Sequence, residues 1–142
     1  MNIRLLFFLL NIVIINSSLS HGNDKKQKGI VFFKGTWIEA LVKAKKENKP
    51  IFLDIYATWC GPCKQLKRTT FKDKEVGAYF NKNFINFTID GESEEGRILA
   101  QKYQVNAYPT LLIIDQDGSK MTKSVGFLKP YILINFGRRI LP

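Results

Sequence analysis

Cysteine and histidine are scarce in this chain of 142 residues, which holds two cysteines, Cys60 and Cys63, and one histidine, His21. A structural zinc site takes about four cysteine or histidine ligands, so these three side chains make a metal site unexpected. A disulfide between Cys60 and Cys63 would close a very small loop and remove little chain entropy from the unfolded state. The pair is therefore interpreted as a redox-active dithiol, with a structural disulfide and a metal site as the disfavoured alternatives.

Long apolar stretches and long runs of like charge are also missing. The main apolar run, residues 5–15, is interrupted by Asn11 and is well short of the roughly 18 residues that a membrane-spanning helix needs. The formal net charge is +10, but no run of like charge reaches the roughly five or six residues that mark a binding tail. We therefore expect no stable membrane insertion and no nucleic-acid partner, and we interpret the excess lysine and arginine as a solubilising surface.

The first twenty residues are typical of a signal peptide. Arg4 gives a positive start, residues 5–15 give an apolar core, and Ser18 and Ser20 fit the small-x-small pattern of a cleavage site, which would make His21 the first mature residue. The alternative is a retained membrane anchor. We predict a signal peptide at 1–20, a flexible lead-in at 21–28 and one domain at 29–142. Export would be to the periplasm or, depending on the cell envelope, to the extracellular space.

Segments typical of strands and helices alternate along the chain and predict an α/β domain. The predicted strands cover residues 29–33, 51–57, 83–89, 110–114 and 120–125. The predicted helices begin at or just after Thr36, Pro62, Asp73, Ser93 and Lys129-Pro130. Helical crossovers between the early strands imply parallel pairing, and the turn at 115–118 implies an antiparallel hairpin.

The strand predicted before the cysteines has the profile of one buried on both faces. Asp54 interrupts it, and a buried carboxylate is costly unless it is protonated or paired. Two interpretations stay open for Asp54: a proton acceptor for the dithiol, and a structural carboxylate satisfied by the backbone or by water. Cys60 would stand at the N-terminus of the following helix, where the helix dipole favours a thiolate. We therefore expect Cys60 to be the nucleophile and the more exposed cysteine.

Several motifs together resemble the thioredoxin superfamily over about residues 30–141. They are Trp59-Cys60-Gly61-Pro62-Cys63, Asp54 six residues before the first cysteine, Tyr108-Pro109-Thr110, and Val125-Gly126. Lys49-Pro50-Ile51 and Thr70-Phe71, with Asp73 and Val76, are further similar to the periplasmic C-terminal domain of DsbD-type disulfide reductases. The resemblance implies a thioredoxin fold, with a central mixed sheet of four to five strands flanked by helices.

The resemblance also implies roles for individual residues. Cys60 would attack a substrate disulfide, Cys63 would resolve the mixed disulfide, Asp54 would accept a proton, and Pro109 would be a cis-proline beside the dithiol. An ordinary proline at a strand start is the alternative for Pro109. The substrate-binding residues implied are Trp59, Gly61, Pro62, Tyr108 and Gly126, with Phe127 at the same apolar rim.

Two positions depart from these relatives. Asn86 stands where cytosolic thioredoxins carry a lysine near the buried aspartate. Lys67 stands where the DsbD domain has a glutamate, four residues after the second cysteine. Lys67 has two interpretations, a charge that stabilises the thiolate and an exposed helix lysine.

The leading hypothesis is an exported thiol–disulfide oxidoreductase that mainly reduces protein disulfides. The alternatives are an oxidase or isomerase of secreted proteins, and a binding or chaperone module that uses the fold as a scaffold. The resemblance implies no cofactor besides the dithiol and a monomeric protein. It implies two kinds of partner: exported proteins that contain disulfides, and an upstream thiol reductant such as a membrane electron transporter.

Overall fold

A four-stranded mixed sheet lies at the centre of the protein, which a computed structural model describes over residues 29–142. The strands are β1 (Ile51–Tyr56), β2 (Ile85–Asp90), β3 (Thr110–Ile114) and β4 (Lys120–Val125), in the spatial order β2-β1-β3-β4. β1 pairs parallel with β2 and antiparallel with β3, and β3 pairs antiparallel with β4. The parallel crossover and the late hairpin are as predicted. The predicted signal peptide and lead-in lie outside the described residues.

Five α-helices flank the sheet within the described part of the chain. They are α1 (Trp37–Glu47), α2 (Gly61–Arg68), α3 (Lys74–Asn83), α4 (Glu94–Lys102) and α5 (Pro130–Arg138), with a short 3-10 helix, Thr70–Lys72, between α2 and α3. No helix among residues 29–142 is long and apolar enough to cross a membrane.

Side chains at the helix starts satisfy backbone donors that would otherwise lack a partner. Thr36 and Glu39 form the predicted capping box of α1. The Asp73 carboxylate accepts hydrogen bonds from two N–H groups in the first turn of α3, and the Ser93 hydroxyl accepts one from Gly96 at the start of α4. These three starts were therefore correctly predicted from the residue types.

β1 is buried on both faces because a helical layer covers each side of the sheet. Leu53 belongs to the apolar cluster shared with α1 and α4, whereas Phe52 belongs to the cluster shared with α2, α3 and α5. Both side chains have no exposed surface. The chain therefore enters the cysteine motif from a central, buried strand.

The predicted strand at residues 29–33 is wrong, and the sheet has four strands, within the four to five that the resemblance implied. The Phe33 N–H donates to the Asn86 carbonyl (2.7 Å) at the edge of β2. Val31 is held by side-chain amides instead: its N–H donates to Asn81 Oδ1 (2.9 Å), and its carbonyl accepts from Asn86 Nδ2 (3.2 Å). The apolar residues of this segment therefore serve packing against the core and not strand pairing.

Replacing Phe80 in α3 with alanine should strongly destabilise the protein. Its ring is fully buried, 4.6 Å from the Phe52 ring centroid and stacked on Phe84 at 5.1 Å. Truncating such a ring leaves a cavity, and we expect a loss of about 3–5 kcal/mol in the free energy of unfolding. Urea unfolding of the disulfide-intact protein measures it.

The matched control is Tyr131→Ala in α5, whose side chain is 61% exposed. It should change the free energy of unfolding by less than about 0.5 kcal/mol. Equal losses in the two variants would contradict the assignment of Phe80 to the core.

Candidate active site

Cys60 and Cys63 are joined by a disulfide where β1 ends and α2 begins. Cys60 is the N-cap residue of α2, and the Cys63 N–H donates to Cys60 Sγ at 3.2 Å. The spacing of the two cysteines thus equals the spacing from an N-cap to the third helical residue, where an N-cap side chain normally accepts a hydrogen bond. The same donor and the helix dipole would stabilise a Cys60 thiolate.

Exposure does not distinguish the two cysteines. Cys60 is 3% exposed and Cys63 is 2% exposed in this oxidised form. The expectation that Cys60 is markedly more exposed is therefore wrong here, because Ala57, Tyr56 and Tyr108 pack around both sulfurs. The asymmetry between the cysteines lies in the hydrogen bond from the first turn of α2.

The Tyr108–Pro109 peptide bond is cis, which is the geometry that the resemblance implied. Pro109 is buried, and its carbonyl accepts a hydrogen bond from the Gly126 N–H at 2.8 Å. Gly126 has a φ of +95°, which favours glycine. The start of β3 and the end of β4 are thereby held together beside the dithiol.

An aromatic pair borders the dithiol. Trp59 is 66% exposed, and its ring centroid lies 6.1 Å from that of Tyr108. Gly61 and Pro62 are exposed in the first turn of α2. Phe127 instead packs against the cluster of α2, α3 and α5. Its expected place at this rim is therefore not supported.

Asp54 is buried in β1, with 1% of its surface exposed. Its Oδ2 accepts a hydrogen bond from Thr88 Oγ1 at 2.8 Å, and its Oδ1 has no hydrogen-bond partner among the described residues. Burial raises the pKa of Asp54 from 3.8 to about 6, against the opposing effects of the Thr88 hydrogen bond and the Lys67 charge. Such a carboxyl can change its protonation state near neutral pH.

Lys67 and Asn86, the two positions that depart from the relatives, lie in different surroundings. Lys67 Nζ lies 3.2 Å from the Tyr56 ring centroid. Its positive charge lowers the pKa of Asp54, against the larger effect of burial. Lys67 thus combines an exposed position on α2 with an electrostatic effect on the buried carboxyl. The Asn86 amide donates instead to Val31 and Asn81, away from Asp54.

The sequence reasoning missed Thr88 and Glu92. Thr88 is the register partner of Asp54 across the parallel pair of β1 and β2, whereas Asn86 is opposite Phe52. Glu92 follows β2, and its Oε1 accepts a hydrogen bond from Trp59 Nε1 at 3.0 Å. Aligning the two predicted strands, 51–57 and 83–89, would have placed Asn86 opposite Asp54, because the observed register is shifted by two residues.

Metal ligands are not grouped in this site. Within residues 29–142, no three His, Cys, Asp or Glu side chains are arranged to hold a metal ion. The reactive groups that the geometry brings together are two sulfurs, a helix N-terminus and a buried carboxyl. Together they are suited to thiol–disulfide exchange.

Comparisons with known proteins agree with this chemistry. The sequence profile of the thioredoxin-like domain family matches residues 37–140. The thiol:disulfide interchange protein DsbD of Yersinia pestis is 32% identical over 90 residues, which cover 61% of this chain and 15% of that protein. The chain therefore spans only a small part of the length of the curated relatives it matches.

Solved structures give the same result. A candidate disulphide-isomerase from Bacteroides thetaiotaomicron is 42% identical, with a TM-score of 0.70 over 78% of this chain and 92% of that one. The oxidised C-terminal domain of DsbD from Neisseria meningitidis is 25% identical, with a TM-score of 0.62 over 72% and 90%. The predicted thioredoxin fold is thus confirmed.

Replacing Asp54 with asparagine should stabilise the oxidised protein at neutral and higher pH. An acid whose pKa is raised on folding contributes stability while it is protonated, and that contribution is lost as the pH rises through the folded pKa, here about 6. Asparagine is uncharged at every pH and therefore does not lose this contribution as the pH rises. We expect the variant to exceed the wild type by up to about 3 kcal/mol above pH 7, with the difference vanishing below about pH 4.

Urea unfolding across this pH range measures the effect, and Asp117→Asn is the control. Hydrogen bonds from Ser119 lower the pKa of Asp117, so its contribution is present at neutral pH and is lost on acidification. The control should therefore be less stable than the wild type at pH 7. A pH-independent effect of Asp54→Asn would contradict the raised pKa.

Proposed function

The chain belongs to the thioredoxin-like domain family, and from that premise we propose that it is an exported thiol–disulfide oxidoreductase that mainly reduces protein disulfides. The observation that carries the assignment of Cys60 as nucleophile is the Cys63 N–H directed at Cys60 Sγ at the start of α2. This donor favours the negatively charged sulfur at Cys60. The proposed reducing direction rests on Gly61-Pro62 between the cysteines, a pair similar to that of strongly reducing members of the family. In the proposed assignment Cys60 is the nucleophile, Cys63 the resolving cysteine and Asp54 the proton acceptor.

The proposed reaction is two exchanges of a sulfur–sulfur bond. The Cys60 thiolate attacks a substrate disulfide, so that a Cys60–substrate bond forms and the other substrate sulfur leaves as a thiolate. Cys63 then gives its proton to Asp54 and attacks Cys60 Sγ. The Cys60–Cys63 bond forms as the second substrate sulfur leaves. Two electrons have passed from the dithiol to the substrate, and an upstream thiol must reduce the pair again.

The surface around Cys60 supports access by a polypeptide. A Cβ atom built on Gly61 would meet nothing within 4 Å, so the first turn of α2 leaves room for a substrate. In the proposal, Trp59, Gly61 and Pro62 contact the substrate on this side. The backbone of Tyr108 would pair with an extended substrate segment on the other side, beside the cis-proline and Gly126.

The proposed location and partners follow from the signal-peptide pattern and the relatives. Residues 1–20 would direct export, with the periplasm as the proposed compartment. The domain at 29–142 would act there as a monomer on disulfide-containing exported proteins. A membrane electron transporter of the DsbD kind is the proposed source of electrons, since this chain is similar to a part of DsbD.

A second candidate function is disulfide isomerisation or oxidation of secreted proteins. The 42% identical structure described as a candidate disulphide-isomerase favours it. Both functions use the same Cys60 attack. They differ in whether the pair is held mainly reduced or mainly oxidised, which its reduction potential determines.

Replacing Cys63 with serine should trap substrates on the protein. Without the resolving sulfur, the mixed disulfide at Cys60 persists. Affinity purification of the variant from its own cells under thiol-blocking conditions should yield adducts that dithiothreitol releases. Mass spectrometry would then identify the partners.

The matched control is Cys60→Ser, which keeps Cys63 and should trap few or no partners. Equal trapping by the two variants would contradict the assignment of Cys60 as nucleophile. An empty Cys63→Ser trap, with wild-type phenotype in the double serine variant, would favour the scaffold interpretation.

A further inference from the structure

Asp54 has no direct access to solvent, although its proposed role requires proton exchange. Its side chain is 1% exposed, and its one hydrogen bond within the described residues is the one from Thr88 Oγ1. A carboxyl that takes a proton from Cys63 in each turnover must lose that proton before the next one. The inference below rests on that proposed function and adds the route by which the proton leaves.

A cavity of about 270 Å³ lies on the side of the sheet where Thr88 meets Asp54. It is lined by Ile30, Phe32, Lys67, Phe71, Lys72 and Thr88. Its volume is several times the roughly 30 Å³ that one water molecule occupies in the liquid. Thr88 is half-buried, lines this cavity and is hydrogen-bonded to Asp54. Thr88 therefore joins the buried carboxyl to a space that solvent can enter.

The other neighbours of Asp54 offer no comparable route. On β3 its register partner is Leu111, which is fully buried and cannot carry a proton. On α2 the titratable group is Cys63, with Cys60 at the N-cap, and the charged groups are Lys64, Lys67 and Arg68, of which Lys67 acts on Asp54. On β1 the Tyr56 ring lies beneath the Lys67 ammonium.

Two more charged groups, Asp90 and Lys72, are not hydrogen-bonded to Asp54. The Asp90 carboxylate is at the end of β2 and acts on Tyr56, and Lys72 lines the cavity from the 3-10 helix. The ammonium groups of the two cavity lysines are hydrogen-bond donors without an acceptor. The hydroxyl of Thr88 can both donate and accept a hydrogen bond.

We propose that the Thr88 hydroxyl is the relay through which Asp54 exchanges its proton with water in this cavity. In the inward direction Thr88 Oγ1 gives its proton to Asp54 Oδ2, along the observed 2.8 Å hydrogen bond, and takes one from a water molecule. In the outward direction the Asp54 O–H bond breaks as a new O–H bond forms at Oγ1, and the original hydroxyl proton passes to water. One proton crosses and no electron moves.

The test is Thr88→Val, which removes the hydroxyl at nearly constant shape, compared with Thr88→Ser, which keeps it. The reduced protein is mixed with excess 5,5′-dithiobis(2-nitrobenzoate), and release of the coloured thiolate is followed by stopped flow. The first phase reports attack by Cys60. The second phase, independent of reagent concentration, reports attack by Cys63 on the mixed disulfide. Far-UV circular dichroism confirms that each variant is folded.

We expect Thr88→Val to slow the second phase about tenfold below about pH 6, where Asp54 starts protonated and must lose its proton before it can accept one from Cys63. This is less than the roughly 10²–10⁴-fold of a complete general acid–base contribution. The first phase should be unchanged, and Thr88→Ser should restore the rate. Imidazole, a small proton carrier, should accelerate the valine variant in proportion to its concentration and leave the wild type unchanged. Thr122→Val, a half-buried threonine on β4, is the control and should behave as wild type.

A wild-type rate of the second phase below about pH 6 in Thr88→Val would overturn the relay. A slowed rate that imidazole does not restore would overturn it too, because Thr88 would then only position Asp54 or lower its pKa. The reagent is a small aromatic disulfide, so the result does not depend on whether exported proteins are the substrates. Loss of the first phase in the wild type would instead overturn the proposed function and the relay with it.

Discussion

The hydrogen bond from the Cys63 N–H to Cys60 Sγ is the contact on which the rest of the site depends. It exists because Cys60 caps α2 and Cys63 is the third residue of that helix. Pro62, between them, has no N–H, so it lacks a main-chain donor at a position where one is not needed. The four-residue motif is therefore a helix cap in which a sulfur replaces the usual oxygen acceptor, and this substitution turns a structural device into a redox centre.

The cap lies where it does because β1 is a central strand buried on both faces. Two apolar clusters cover its faces, which fixes its direction and delivers the chain into α2. The same burial raises the pKa of Asp54 to about 6 and leaves Thr88 on β2 as its hydrogen-bonding neighbour. The same packing therefore serves stability and reactivity. It holds the cysteine motif in place, and it allows the Asp54 carboxyl to change its protonation state near neutral pH.

Much of this could be predicted from residue types alone. The capping box at Thr36, the helix start at Asp73 and the cysteine spacing depend on neighbours in sequence, and these predictions were confirmed. Features that depend on contacts between residues distant in sequence were harder to predict. Residues 29–33 have the composition of a strand but are held by side-chain amides. The low exposure of Cys60 depends on Tyr108, forty-eight positions away, and the role of Thr88 depends on strand register.

A helix cap that favours the Cys60 thiolate stabilises the reduced pair and by itself would raise the reduction potential. The proposed reducing direction rests instead on the Gly61-Pro62 spacer, which is similar to that of strongly reducing thioredoxins. The buried disulfide and the proposed proton route by way of Asp54 describe how the pair reacts. The equilibrium reduction potential of the pair determines whether it mainly reduces or mainly oxidises its substrates. Titration of Cys60–Cys63 against glutathione redox buffers is the most direct test of the proposed reductase. We expect a value near the thioredoxin end of the scale, about −270 mV, whereas a value near the DsbA end, about −120 mV, would contradict it.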